Sequence, residues 1–295
     1  MKLKALKYLL VILALFFPSH FGISSELDNG HALLATLIQN IPARPFSAIS
    51  GSEFAGSIFS LDGSRREQAI LAEIMEGNLP EFLRKLKPVR LTHKFKDQET
   101  TTATIFVMPD YLAIGSDKDY LLIPMSLYTA TAIASKFGFI LPTKKMVDAI
   151  FGQSLSHFTP IPMAPCPQMR STQYYLEHNR KIREQRLHSG FGLDVLAAGD
   201  KKDVVLTNHL ARTLGRIAIY GWHRLSGVPI QPLATVHSAN YADYSHGVRL
   251  VSDTVLIDGE PRSIYDVLED PKLAKVLSDE GAIPKVRQLM TCHDQ

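Results

Sequence analysis

Cysteine is nearly absent: Cys166 and Cys292 are the two in 295 residues. They leave room for one intramolecular disulfide and for no paired CxxC zinc motif. No HExxH stretch, internal repeat or low-complexity tract is present either. Tryptophan occurs once, as Trp222. Charge of one sign is also scarce. The net charge is +3 and the basic residues are scattered, without a basic stripe interleaved with aromatics. That argues against nucleic acid as a partner. Past Phe17 no apolar run is long enough to cross a bilayer, which takes roughly 20 residues.

The chain opens MKLKALKYLLVILALFFPSHFGISS. Lys2, Lys4 and Lys7 form a basic start, and Tyr8 to Phe17 an apolar core too short to span. Pro18 breaks the helix, and Gly22 and Ser24 stand at small-residue cleavage positions. The pattern predicts a signal peptide over 1–24, cut near Ser24 or Ser25, and a secreted or periplasmic protein. An uncleaved anchor is the alternative. No cysteine is there to carry a lipid. About 270 residues then remain, enough for one large domain or two closely packed ones.

Helical signals come first. Leu33 to Gln39 reads as a short helix and Pro42 to Gly63 as loop. Ser64 is placed to cap a helix through Glu76, with Glu67 as capping-box partner. Asn78 to Leu86 reads as a second helix. The period then changes: VRLTHKFK, TTATIFVMP and YLAIGSDKDYLLIPM predict three or four antiparallel strands. Ser126 and Gly138 bound a helix over Leu127 to Phe137, Thr143 caps one to Phe151, and Ser171 caps a long polar one to Leu187. Between the last two, Pro160 to Pro167 holds four prolines in eight residues. It is the expected seam between an N-terminal region, 25–160, and a C-terminal region, 161–295, if the two are not one compact domain. KKDVVLT and RIAIYGWH suit interior strands, GVPIQPL a loop, HGVRLVSDTVLIDG a hairpin, and 264–268 and 271–277 short helices. The expected class is α+β, an antiparallel or mixed sheet with flanking helices.

The chemistry gathers in the last third. HSANYADYSHGVRLV, from His237 to Val251, packs two histidines, two tyrosines, two serines and an aspartate ahead of an apolar run. If KKD, YGWH and this stretch neighbour one another, their polar ends meet on one rim. His237 and His246 are then candidate proton carriers, with Asp243 orienting the imidazole and Tyr241 or Ser245 offering a hydroxyl. Ser245 and His246 are adjacent on a strand and point to opposite faces, so His237 or His223 is the better partner for Ser245. Lys202, Asp203 and Arg249 are candidates for holding a polar or anionic group, with Trp222 and Tyr244 as a platform. No cofactor is expected. Zinc on His223, His237, Asp243 and His246 is the alternative, and a purely structural role for these polar residues is another. Cys166, between two prolines, is either half of a disulfide with Cys292 or a thiolate nucleophile.

Three strings carry a resemblance: GDKKDVVLT, IAIYGWHR with PIQP, and YADYSHGVRLV. With PDYLAIGSDKDYLLIPM and LPTKKMVDAI, they resemble a group of secreted bacterial proteins to which no activity is attached, over most of Pro109 to Gly281. Ser245-His246-Gly247 and Arg249 are also similar to the SHGC-x-R motif of YkuD-type L,D-transpeptidases, which cross-link peptidoglycan through a cysteine aided by an upstream histidine. That resemblance implies a cell-envelope setting, with His223 or His237 as the upstream histidine. The nucleophile is missing, because Val248 follows Gly247 directly. The expectation is a hydrolase- or transferase-type enzyme acting on a polar cell-envelope or extracellular substrate. A non-catalytic periplasmic binding protein is the alternative.

Overall fold

Alternation builds the first sheet. In β1 (Lys87–Lys94), Val89 and Leu91 are buried while Arg90 and Thr92 face solvent. β2 (Thr100–Val107) runs antiparallel to it, Val89 opposite Ile105 and Leu91 opposite Ala103. Full burial of such a side chain contributes roughly 1.5–3 kcal/mol. β12 (Val251–Ile257) joins β2 from near the other end of the chain, and β13 (Glu260–Ser263) and β5 (Phe139–Ile140) both pair with β12. Strands from both sides of the proline-rich stretch therefore share one sheet, which makes Pro160 to Pro167 a connector within a unit.

The computed structural model describes residues 33–291. Residues 33–36 are helical and belong to a first unit that ends at Thr36; the second unit, Leu37–Gln295, holds all the sheets. The expected signal peptide and Cys292 lie outside the described residues. Among the described residues no helix is long and apolar enough to cross a membrane.

The second sheet positions the candidate site. Its order is β10 (Pro229–Ala234), β9 (Ile219–His223), β8 (Lys202–Val204), β11 (His246–Gly247). The pairings are antiparallel except for β8 with β11, which is parallel. GVPIQPL is thus an edge strand and not a loop. Proline is tolerated there because no further strand needs its missing N–H, and the register shifts between Gln231 and Ala234, around Pro232. The stretch HGVRLVSDTVLIDG is not one hairpin. His246 and Gly247 pair with β8, and the chain then crosses into β12 of the first sheet. Along that crossing Met108 N–H donates to the Leu250 carbonyl (3.0 Å) and Leu112 N–H to that of Val248 (2.8 Å). Two smaller pairs complete the strands: the hairpin β3 (Ala113–Gly115) with β4 (Tyr120–Leu122), and β6 (Ser156–His157) parallel to β7 (Ala197–Ala198). The architecture is α+β, with antiparallel and mixed sheets flanked by helices.

The helices largely follow their caps. α1 (Gly51–Ser57) falls inside the stretch expected as loop. Its signal is the capping box of Ser50 and Glu53, each side chain bonded to the other's backbone N–H. α2 (Gly63–Met75) starts one residue before Ser64, and Glu67 does not close a box but accepts from Ser126 N–H and the Thr129 hydroxyl. The expected helix at 78–86 is one 3-10 turn, Glu81–Arg84. α3 (Leu127–Phe137), α4 (Lys144–Gln153) and α5 (Thr172–Ser189) are capped by Ser126, Thr143 and Ser171. α6 (Ile264–Glu269), α7 (Ala274–Leu277) and α8 (Val286–Thr291) follow. α5 buries Tyr175, His178, Asn179 and Arg186 although its sequence is mostly polar. Asn179 explains part of this, since its amide bonds both Leu122 N–H and the Tyr120 carbonyl of β4 (3.0 Å each).

Candidate functional site

β8 lies between β9 and β11, so the KKD, YGWH and SHG strings do meet. His246 is the register partner of Lys202, and Lys202 of Gly221. Residues directly opposite one another share a face of a sheet. His246 and Lys202 therefore stand side by side.

The loop before β11 folds around Asp243. One carboxylate oxygen accepts from both the backbone N–H (2.8 Å) and the hydroxyl (2.6 Å) of Ser245. The other accepts from the Tyr241 hydroxyl (3.1 Å) and lies 3.9 Å from His246 Nε2. This is the local turn chemistry aspartate favours. His237 lies flat on Tyr241, and the His246 ring sits 5.6 Å from Tyr241 and 6.3 Å from His237. The cluster has two levels. Asp243 (2 % exposed) and His246 (0 %) form a buried floor. His237, Tyr241 and Lys202, all half-buried, form the rim.

Electrostatics give the floor a defined charge state. Burial pushes the His246 imidazole well below its ordinary pKa; Lys202, His237 and Lys201 add to this and only Asp243 opposes it. Burial alone would raise Asp243, but the neighbouring His246, the two Ser245 donors and Lys202 outweigh it and hold the carboxyl below its usual value. At neutral pH the floor is a carboxylate beside a neutral imidazole. Neither ring nitrogen of His246 has a hydrogen-bond partner among the described residues. A buried polar group left unpaired costs about 1–3 kcal/mol. At the rim, burial lowers His237 and Lys202 and raises Tyr241 to about 12.

Trp222 lies beside Lys202, whose ammonium sits 5.3 Å over the indole, and Tyr244 packs edge-on against Trp222. Trp222 has φ +53° directly after Gly221 at φ +101°. A bulky residue in this region is strained by about 1–3 kcal/mol, and such strain clusters at functional sites. His223, the next residue, does not join the cluster. Its Nε2 pairs with Asp148 of α4 (2.9 Å), which also accepts from the Tyr220 hydroxyl (2.8 Å), and its ring stacks on Phe151.

The remaining candidates divide clearly. Ser245 is buried and its hydroxyl is committed to Asp243, so it pairs with neither His237 nor His223. Asp203 is buried under the Tyr111 hydroxyl (3.0 Å), and burial raises its pKa to about 6. Arg249 is wholly buried and donates to the Met108 (2.9 Å) and Ala197 (2.7 Å) carbonyls, so it holds backbone where the two sheets meet and not a substrate group. Lys201 is 1 % exposed and donates to the Tyr244 carbonyl (2.6 Å). Its burial lowers its pKa to about 8. Among the described residues no group of three or more His, Cys, Asp or Glu is arranged to hold a metal ion. The four residues weighed for zinc are divided, with His223 bound to Asp148.

The chain matches no protein-family model, no curated protein and no solved structure.

Sequence reasoning missed two neighbours. The Arg170 guanidinium lies 5.2 Å over the Tyr241 ring. His178 of α5 packs edge-on against Tyr244 and Trp222. No spacing in the sequence links either residue to the loop; only the packing of α5 and the turn before it does. Cys166 sits at the start of that turn, with its thiol against the Tyr174 hydroxyl (2.8 Å).

Proposed function

We propose that this protein is a secreted or periplasmic enzyme of hydrolase type. It acts on a polar cell-envelope or extracellular substrate by general acid–base chemistry at His246. The observation that carries this reading is the fully buried His246 ring, with both nitrogens unpaired, set beside an ionised Asp243. Proteins rarely leave such a group unpaired without a use for it. In the proposed reaction neutral His246 accepts a proton from a water entering between His237, Tyr241 and Lys202. Asp243 stabilises the imidazolium that forms, Lys202 offers its charge to the developing oxyanion, and the imidazolium returns its proton to the leaving group as the scissile bond breaks. With Ser245 committed to Asp243, the attacking group is water and not a side-chain hydroxyl. The envelope setting is supported by the basic, apolar and small-residue pattern of residues 1–24.

The test is a screen of the purified mature chain against peptidoglycan fragments and chromogenic esters, amides and glycosides, with His246→Ala alongside. Turnover that disappears in a folded His246→Ala supports the proposal, and full turnover in that variant sinks it. A non-catalytic binding role is the second reading. It is favoured by the commitment of Ser245 to Asp243, and it predicts ligand binding at the rim with no turnover.

A further inference from the structure

A cleft of about 660 Å³ opens between the start of α2 and the start of α5, lined by Arg65, Arg66, Arg170 and Asp62 among others. Arg66 is its least ordinary feature. The residue is 3 % exposed, and its guanidinium donates to the Arg170 carbonyl (2.6 Å) and the Tyr175 hydroxyl (3.2 Å) and lies over the Tyr175 ring. Its Nε has no acceptor, and among the described residues no carboxylate forms an ion pair with it. A buried charge without a counter-ion is strongly unfavourable. Arg65 and Arg170 are exposed and likewise lack a carboxylate partner among the described residues. Three arginines and one carboxylate residue, Asp62, thus line the cleft.

Two further observations orient this charge. Asp62 holds the N-cap position of α2 without making a side-chain cap, so the first N–H groups of that 13-residue helix have no side-chain acceptor from it. The cleft is also tied to the candidate site. Arg170 stands over Tyr241, and the Tyr175 hydroxyl that receives Arg66 donates to the Ala242 carbonyl (3.1 Å). Arg170 therefore has one side on the cleft and the other on the His237–Tyr241 rim.

We propose that the arginine cleft binds an oxyanion, the carboxylate or phosphate group of the molecule handled at the His246 site, which makes that substrate an anion. The link to a reaction rests on the acid–base reading above; the anion site itself does not. A bound oxyanion supplies the counter-ion Arg66 lacks, and Arg170 spans the distance to the rim.

The test is titration of the mature chain, at low ionic strength, with inorganic phosphate and separately with acetate, followed by calorimetry. It uses the wild type, the double variant Arg65→Gln/Arg170→Gln, and His246→Ala. Both substituted arginines are exposed, so the double variant keeps the fold, and circular dichroism checks this. The expected result is saturable binding of at least one probe, weakened tenfold or more in the double variant and retained in His246→Ala. The tighter probe names the group. No saturable binding, or binding unchanged in the double variant, overturns the proposal. If phosphate or acetate binds as expected but His246→Ala keeps full turnover, the acid–base reading fails and the anion site stands.

Discussion

His237 lies flat on Tyr241, with ring centroids 4.1 Å apart and planes 10° from parallel. The same tyrosine donates its hydroxyl to Asp243 at 3.1 Å. One side chain thus fixes the rim imidazole through its face and the floor carboxylate through its edge. Asp243 in turn holds Ser245, at the step into β11.

These two functions of Tyr241 are separable. Tyr241→Phe keeps the stack and removes one hydrogen bond to a charged acceptor, so it should lower stability by about 1.5–3 kcal/mol. Tyr241→Leu should cost about 0.5–1.5 kcal/mol more, from the lost aromatic pair. Urea unfolding of both variants measures the difference. Equal losses would show that the stack contributes nothing.

His178 makes a pH prediction. Burial, reinforced by Lys201, depresses its pKa to about 2, against an ordinary value near 6.5. A histidine with a depressed folded pKa contributes stability that is present above the unfolded pKa and lost as pH falls below it, because only the unfolded chain takes up the proton. Between pH 8 and 5.5 this group should cost the wild type about 1.4 kcal/mol. His178→Phe keeps an aromatic ring against Trp222 and Tyr244 and removes that loss. The stability gap between the two proteins, measured by denaturant unfolding at both pH values, should shift by about that amount towards the variant. A constant gap would mean that His178 titrates normally in the folded protein.

Gly247 should not tolerate a methyl group. A Cβ there would lie 2.5 Å from Tyr111 Cδ1 and 2.8 Å from Lys201 Cβ, both in buried residues. Gly247→Ala should lower stability by about 1–3 kcal/mol through overpacking. Thermal unfolding reads this directly, and an unchanged midpoint would show that the Tyr111 ring moves aside freely.

Arg249 should behave as a structural residue. Arg249→Met leaves the Met108 and Ala197 carbonyls unpaired and removes a buried cation near Asp110, Asp200 and Asp203. The expected loss is roughly 3–5 kcal/mol, as for breaking a buried charged pair. A variant of full stability with weakened ligand binding would return Arg249 to the substrate-holding role.

The sequence by itself determined the α+β class, most helix starts and the choice of region. Those signals are local. A serine or threonine that satisfies a free N–H marks a helix start whatever packs on it, as Ser126, Thr143 and Ser171 show. The strings KKD, YGWH and SHG were also legible as strand ends, because apolar runs flanked by polar groups are read along the chain. Which side chains share a face was not. Gly221 and Trp222 take positive φ angles in their strand, and His223 after them pairs with Asp148 instead of joining the cluster. Lys201 and Lys202 differ by one position, and the pleat buries the first and leaves the second at the rim. Arg249 reads in the sequence as a candidate for holding an anionic group. It is interior because the chain between β11 and β12 passes from one sheet to the other, and the carbonyls left there need a donor. Arg170 and Tyr241 are far apart in sequence and meet only through tertiary packing. Burial, pairing and charge state are properties of that packing, and they turn a histidine-rich string into a proposed site.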